Sequence, residues 1–234
     1  MTPAFFLTLK EPIILLWIHL KVKAVNFIEY VKVAHRYYPN FDFAKIDTTL
    51  LFSYLFSNPF RISKHFLKEK EETEVYTYGE TPLTTLESIA HKCQITAQDV
   101  VVELGCGRGR ACFWLNQIIG CSVVGIDYVP SFIEKAEKIK NLFQVQRLSF
   151  RLEDFLQSDL KDATVVYLYG TCLSTNQIQT LIRHLSKLPK GTKVITVSYA
   201  LNDFQSDAPF KMITQFPATF AWGETDVYLQ EKTG

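Results

Sequence analysis

Residues 99–110 read DVVVELGCGRGR, and no other stretch narrows the choice of fold as much. A β-branched run that stops at three alternating glycines is a buried strand turning into a helix. Gly105, Gly107 and Gly109 permit backbone angles closed to other residues and let a bound molecule approach the main chain with no Cβ in the way. Such a strand buries both faces only inside a parallel sheet covered by helices, so the rest of the chain must supply alternating strands and helices.

It does. CSVVGID (121–127), RLSFRL (147–152), ATVVYLY (163–169) and TKVITVSY (192–199) read as further strands. Helical patterns lie between them at 109–119, at 130–143 with Pro130 at its start, and at 176–188. The tail, 209–230, reads as two more strands around Pro217 and Gly223 that close as a hairpin. The expected fold is therefore α/β, a doubly wound, mostly parallel seven-stranded sheet of Rossmann-like type with an N-terminal helical region.

In that N-terminal region apolar residues recur at helical spacing over 13–36 and 48–68, with a turn signal at Tyr38-Pro39-Asn40. The mixed charge run LKEKEETE (67–74) reads as a solvated join. The expected division is a helical region over 1–74 and the α/β domain over 75–234. Residues 12–20, PIILLWIHL, are strongly apolar but sit between Lys10-Glu11 and Lys21, and span about half of the ~20 residues a membrane helix needs. No transmembrane span and no signal peptide are expected. The run reads as a helix buried against the domain, with contact to a membrane surface as the second reading.

Composition excludes more than it selects. A formal net charge of +1 over 234 residues carries no global nucleic-acid signature. Cys93, Cys106, Cys112, Cys121 and Cys172 are odd in number and scattered, without metal spacing. No metal site is expected, and the thiols suit a reducing compartment, cytoplasmic or nuclear.

The glycine loop decides the ligand class. In a doubly wound sheet the ligand lies at the carboxyl ends of the strands. A dinucleotide loop needs G-x-G-x-x-G, but the sixth position here is Arg110, which makes a nicotinamide enzyme a distant reading. The spacing is instead G-x-G-x-G, with Glu103 two residues before the first glycine, which suits a ligand without a pyrophosphate but with an ammonium end. Asp127, at the end of the second strand, is placed to accept both hydroxyls of a ribose. After the third strand, Asp154 can accept from an adenine amine, and Phe155 can donate through its backbone N–H and cover a base face. Ammonium, ribose and adenine together describe S-adenosylmethionine, and the arrangement resembles the class I methyltransferases.

Upstream, VYTYGETPLTTLESIA (75–90) carries Tyr78-Gly79-Glu80-Thr81-Pro82. Thr81 as N-cap and Pro82 at the first helical position explain part of it by structure alone. With VVELGCGRG, the EDFL turn at 153–156, ATVVYLYG and GTKVITVSY, this segment resembles the disruptor-of-telomeric-silencing (DOT-type) histone lysine methyltransferases over about residues 75–200. The resemblance implies that Tyr78, Glu80, Thr81, Glu103, Gly105, Cys106, Gly107, Asp127, Tyr128, Asp154, Phe155 and Tyr169 line the cofactor site, with S-adenosylhomocysteine as product. Where that family has Asn-Asn-Phe, this chain has Tyr169-Gly170-Thr171, which leaves the substrate open. The VVYLYG strand, the closing AWGETDVYL and the apolar N-terminal run also resemble the lysine methyltransferases of the ATP synthase c subunit. Both resemblances imply methyl transfer to a protein lysine.

A lysine ammonium, with a reference pKa of ~10.4, must lose its proton before it attacks. Tyr169, Tyr167 and Thr171 stand at the strand end where they could orient the amine. A histone or nucleosome partner would call for a basic surface, for which Arg61, Lys64, Lys68 and Lys70 are the candidates for phosphate contacts. The competing readings are a small-molecule methyltransferase, with the N-terminal aromatics forming a lid, and a noncatalytic cofactor-binding protein.

Overall fold

A computed structural model describes residues 22–71 and 78–234. The reading of PIILLWIHL, and the division expected at residue 74, fall outside the described residues.

Seven strands form one sheet in the order β3-β2-β1-β4-β5-β7-β6. They are β1 (Val100–Leu104), β2 (Ser122–Asp127), β3 (Leu148–Leu152), β4 (Val165–Leu168), β5 (Lys193–Val197), β6 (Phe210–Phe220) and β7 (Gly223–Lys232). The first five are parallel; β7 runs antiparallel between β5 and β6. Strand order reverses between β1 and β4, which is where ligands sit in such sheets.

Alternation along β1 shows how the layers form. Val101 faces one helical layer, made of α1 (22–37), α2 (Phe41–Ser53), α4 (Leu83–Lys92), α5 (Arg110–Trp114) and α6 (Pro130–Leu142). Val102 and Leu104 face the other, where Ile178, Leu181, Ile182 and Leu185 of α7 (Thr175–Leu185) fill the core. Period-2 side chains on a strand and a 3.6-residue stripe on a helix meet in both layers.

Three sequence expectations are corrected here. The helical spacing read over 48–68 belongs to two helices: α2 ends at Ser53, and Asn58 caps a new helix, α3 (Pro59–Glu69), by accepting from Phe60 N–H at 2.9 Å. Pro59 at its first position cannot continue a preceding helix but starts one well. The helix expected over 109–119 is α-helical only to Trp114 and closes in a π-turn, Leu115–Ile119. Pro217 does not separate two strands; it lies inside β6, paired with Asp226. β6 is the sheet edge, where a residue without an N–H costs no ladder bond.

Candidate active site

The loop after β1 takes its shape from its glycines. Gly105, Gly107 and Gly109 all have positive φ, at +74°, +54° and +79°. At Gly105 an added Cβ would meet nothing within 4 Å, so the main chain there opens onto free space; at Gly109 it would lie 2.5 Å from the Phe150 ring. The first glycine leaves room for a ligand and the third lets β3 pack close beneath the helix.

Glu103, facing Gly125 on β2 and Tyr167 on β4, is buried. The Cys112 thiol donates to its Oε2 at 2.9 Å. Burial pushes the Glu103 carboxyl up to about 8, with the neighbouring carboxylates Glu80 and Asp127 adding to the rise. Among the described residues no cationic side chain compensates it, so a ligand ammonium is the group that would.

Asp127 ends β2 and accepts from Gly107 N–H at 2.8 Å and Val129 N–H at 2.9 Å. Burial raises its pKa, and those backbone donors oppose the rise. Two oxygens offer about four acceptor sites, so capacity remains for hydroxyl donors. Asp154 stands exposed and organises the turn after β3, accepting from Leu156 N–H at 2.9 Å and Gln157 Nε2 at 3.0 Å. Phe155 packs partly into the α7-side core. Tyr128 meets Phe66 of α3 edge-on, with ring centroids 5.2 Å apart.

The Tyr78–Thr81 segment lies across the loop. Tyr78 donates to Glu80, whose two oxygens also take a bidentate pair from Arg108 at 2.5 and 2.7 Å. Burial alone would raise the Glu80 pKa; the Arg108 guanidinium more than reverses that and holds it low. Thr81 does not cap α4 as expected. Pro82 occupies the cap position without a side-chain bond, and the Thr81 hydroxyl is 2.5 Å from that of Tyr167. A buried hydroxyl at the strand end competes successfully for the threonine because Tyr167 would otherwise be left unpaired in the core.

Gly79, Glu80, Thr81, Glu103, Gly105, Cys106, Arg110, Ala111 and Tyr169 line one small cleft at the carboxyl end of β1 and β4. The Cys106 thiol is buried and pushed up to about 11, mainly by that burial, so it is an inert lining group. Tyr167 lies wholly in the core beside it, and Thr171 is exposed, its hydroxyl 3.7 Å from the Cys172 sulfur. A more open hollow lies between α2 and the end of α6, lined by Asp42, Lys45 and residues 142–146; no glycine-loop residue reaches it.

Three features escaped the sequence reading. Arg110 makes a bidentate pair with Asp47 of α2 at 2.7 and 2.8 Å, and Tyr38 donates to the same carboxylate at 3.0 Å. The residue that breaks the dinucleotide pattern thus anchors the N-terminal helices to the loop. Arg108 does the same for the Tyr78–Thr81 segment. Two arginines in a loop destined for burial were the available signal, since each needs a carboxylate, but spacing alone did not name the partners. Trp222, at the β6–β7 turn, donates to the Tyr169 hydroxyl at 2.6 Å and stacks on Phe220 at 5.9 Å.

Residues 103–208, just under half of the chain, match the family model described as the ANTKMT methyltransferase domain. The H3 lysine-79-specific histone-lysine N-methyltransferase of Dictyostelium discoideum is 25% identical over 155 residues, covering 60% of this chain and 8% of that protein. The sterol 24-C-methyltransferase of Eremothecium gossypii is 32% identical over 83 residues, 35% of this chain and 22% of the relative. The chain thus spans less than a quarter of either curated relative. Among solved structures, an RNA methyltransferase from Salinibacter ruber in complex with S-adenosyl-L-homocysteine superposes with a TM-score of 0.53 at 27% identity, covering 66% of this chain and 94% of that one. Strand order, glycine loop and these likenesses agree: the chain carries a class I, S-adenosylmethionine-dependent methyltransferase domain.

Proposed function

We propose that this domain methylates the ε-amine of a lysine in a protein. The observation that carries the reading is the wall at the end of β4. Tyr169 lines the cleft, its ring lies against Gly79 and 5.4 Å from Phe220, and its hydroxyl is held by the Trp222 indole N–H. An aromatic wall of this kind suits an amine, which it desolvates on one side while a hydroxyl orients it.

The residue types in and beside the cleft suit the cofactor: the cleft itself holds Glu103 and the glycine loop, while Asp127, Asp154 and Phe155 stand outside its lining at the ends of the next two strands. Glu103 would face its ammonium, Asp127 the ribose, and Asp154 with Phe155 the adenine. Gly105, Cys106 and Gly107 form the floor, and Tyr78, Glu80, Thr81 and Tyr128 the surroundings. When bound, S-adenosylmethionine supplies a sulfonium methyl group open to in-line displacement.

The chain's own residues then have to position the amine and leave its proton a way out. Tyr169 accepts from Trp222, so its own O–H proton points elsewhere and its remaining lone pair can take an N–H from the lysine. Tyr167 and Thr81 satisfy one another and brace this strand end. Neither carboxylate of the cleft serves as base: Glu80 is spoken for by Arg108 and Tyr78, and Glu103 by the cofactor ammonium. The lysine proton therefore leaves to solvent before attack, and Thr171, exposed at the rim, marks that side.

Two likenesses support lysine as the acceptor, the matched family model and the lysine-79-specific relative. The Tyr-Gly-Glu-Thr segment and that relative extend the proposal to a histone; the resemblance to the lysine methyltransferases of the ATP synthase c subunit keeps a non-histone protein as the second reading. The test offers labelled S-adenosylmethionine in parallel to nucleosomes, free histones and a whole-cell lysate, with Asp127→Ala as control and amino-acid analysis of the product. Labelled methyl-lysine in any protein supports the reading, and its position identifies the partner. Label only in a small molecule, or on a residue other than lysine, refutes it.

A further inference from the structure

We infer that the face of the molecule around the cleft docks on an anionic lipid bilayer. The turn between α2 and α3 presents Phe52, Leu55, Phe56 and Phe60 to solvent within nine residues, and Phe56 is 97% exposed. Four large apolar side chains exposed within one short segment are more than a soluble domain leaves bare without a use. The patch belongs to the site's own rim: the Phe60 ring meets the Tyr78 ring edge-on at 5.0 Å, and Tyr78 packs over Gly107.

Charge selects the occupant. On α3 the positions 60, 64 and 68 fall on one stripe, so Phe60 leads into Lys64 and Lys68, with Arg61 beside them, while Ser63 and Leu67 point inward. From Phe52 to Glu74 the sequence holds four cationic residues, Arg61, Lys64, Lys68 and Lys70, and four carboxylates, Glu69, Glu71, Glu72 and Glu74; the carboxylates begin only at the last residue of α3, and Arg61, Lys64 and Lys68 lie before them, beside the phenylalanines. Lys135 adds a fifth cation at the patch edge, where it donates to Ser53 O at 3.0 Å. Exposed aromatics beside a basic helix face are the composition of a peripheral membrane contact, the rings entering the interface and the cations meeting headgroups. A nucleic-acid phosphate would use the cations but leave the phenylalanines unexplained.

The N-terminal helix points to the same end. α1 is tied to the start of α4 by Glu29, which accepts from Thr84 N–H at 3.0 Å and Oγ1 at 2.7 Å. Its residues before Glu29 therefore lie beyond the cleft end of α4, and among them Val22, Val25, Phe27 and Ile28 are exposed. The sequence immediately ahead, PIILLWIHL, continues the apolar character. No described helix is long and apolar enough to cross a membrane, and the contact inferred from the described residues is one of surface. The proposal is independent of which nucleophile is methylated.

The experiment is sedimentation of the full chain with vesicles of phosphatidylcholine alone or with a third phosphatidylglycerol, for wild type and for Phe52→Ser/Phe56→Ser. Both substituted residues are solvent-exposed and outside the cleft, and cofactor binding checks that the variant folds. Expected are binding to the anionic vesicles, at least ~10-fold weaker binding to the neutral ones, and a further loss of at least ~10-fold in the double variant. Wild type bound to neither vesicle, or the variant bound as tightly as wild type, would overturn the proposal. So would a dimer in solution that dissociates in the variant without vesicle binding, which would assign the patch to a second copy of the chain.

Discussion

Cofactor affinity should rise steeply with pH through the physiological range, because Glu103 must give up a proton to receive an ammonium. With the carboxyl at about 8 in the empty cleft and charged once paired, the charged fraction grows nearly tenfold per pH unit below that value. Between pH 5.5 and 7.0 the affinity for S-adenosylhomocysteine should increase ~30-fold, or ~2 kcal/mol, and binding at pH 7 should release ~0.9 proton. Staying below pH 7.5 keeps the ligand's own amine protonated, given a reference value of ~7.7–8.0. Titration calorimetry in two buffers of different ionisation enthalpy reads the proton count directly. Glu103→Gln should abolish most of the release and flatten the profile. The sign for the empty protein is opposite. The unfolded chain loses this proton near its ordinary value of 4.5 while the folded one holds it to about 8, so stability falls as pH rises across that window, by up to ~5 kcal/mol. A pH-independent affinity with no proton release, in a wild type that binds the cofactor, would refute the assignment of Glu103 to the ammonium.

Other substitutions probe other parts of the site. Asp47→Ala strands a buried arginine and should cost ~3–5 kcal/mol in chemical denaturation, far more than any surface ion pair. Gly109→Ala, with φ at +79° and Phe150 2.5 Å from the new Cβ, should cost ~2–4 kcal/mol in the same assay. Gly79→Ala would press on Tyr169, 2.6 Å from the new Cβ; methyl transfer should fall ~10-fold or more while cofactor affinity holds. Trp222→Phe keeps the stack on Phe220 but removes the donor to Tyr169, and should lower kcat with little change in cofactor Kd.

The parts of this protein legible in its sequence are those set by local pattern. Strand and helix alternation gave the sheet, since period-2 and period-3.6 burial cannot be exchanged for one another. The glycine loop was legible because positive φ at alternate positions demands that residue type. Partnership across the chain was not. Nothing near Arg110 points to Asp47, 63 residues away, and nothing near Thr81 shows that Tyr167 will take its hydroxyl from the helix cap. The turn at 54–58 was overlooked because apolar residues continue straight through it, and only Asn58-Pro59 signals the restart. The apolar residues on either side of this turn include the phenylalanines that face outward.

The Asp47–Arg110 pair has a consequence for movement. The N-terminal helices could swing away as a cover only if α2 left the loop, and that would pull apart a buried ion pair along with the tyrosine hydroxyl bonded to it. Such a rupture costs several kcal/mol and would make product exchange slow. The contacts of α3 and the β6–β7 tip are of another kind: α3 meets Tyr78 and Tyr128 through ring edges and buries Leu67, and the tip meets Tyr169 through the Trp222 indole N–H and the Phe220 ring. Exchange of cofactor and substrate is thus expected to shift apolar ring contacts rather than the buried ion pair, which leaves the floor of the loop anchored.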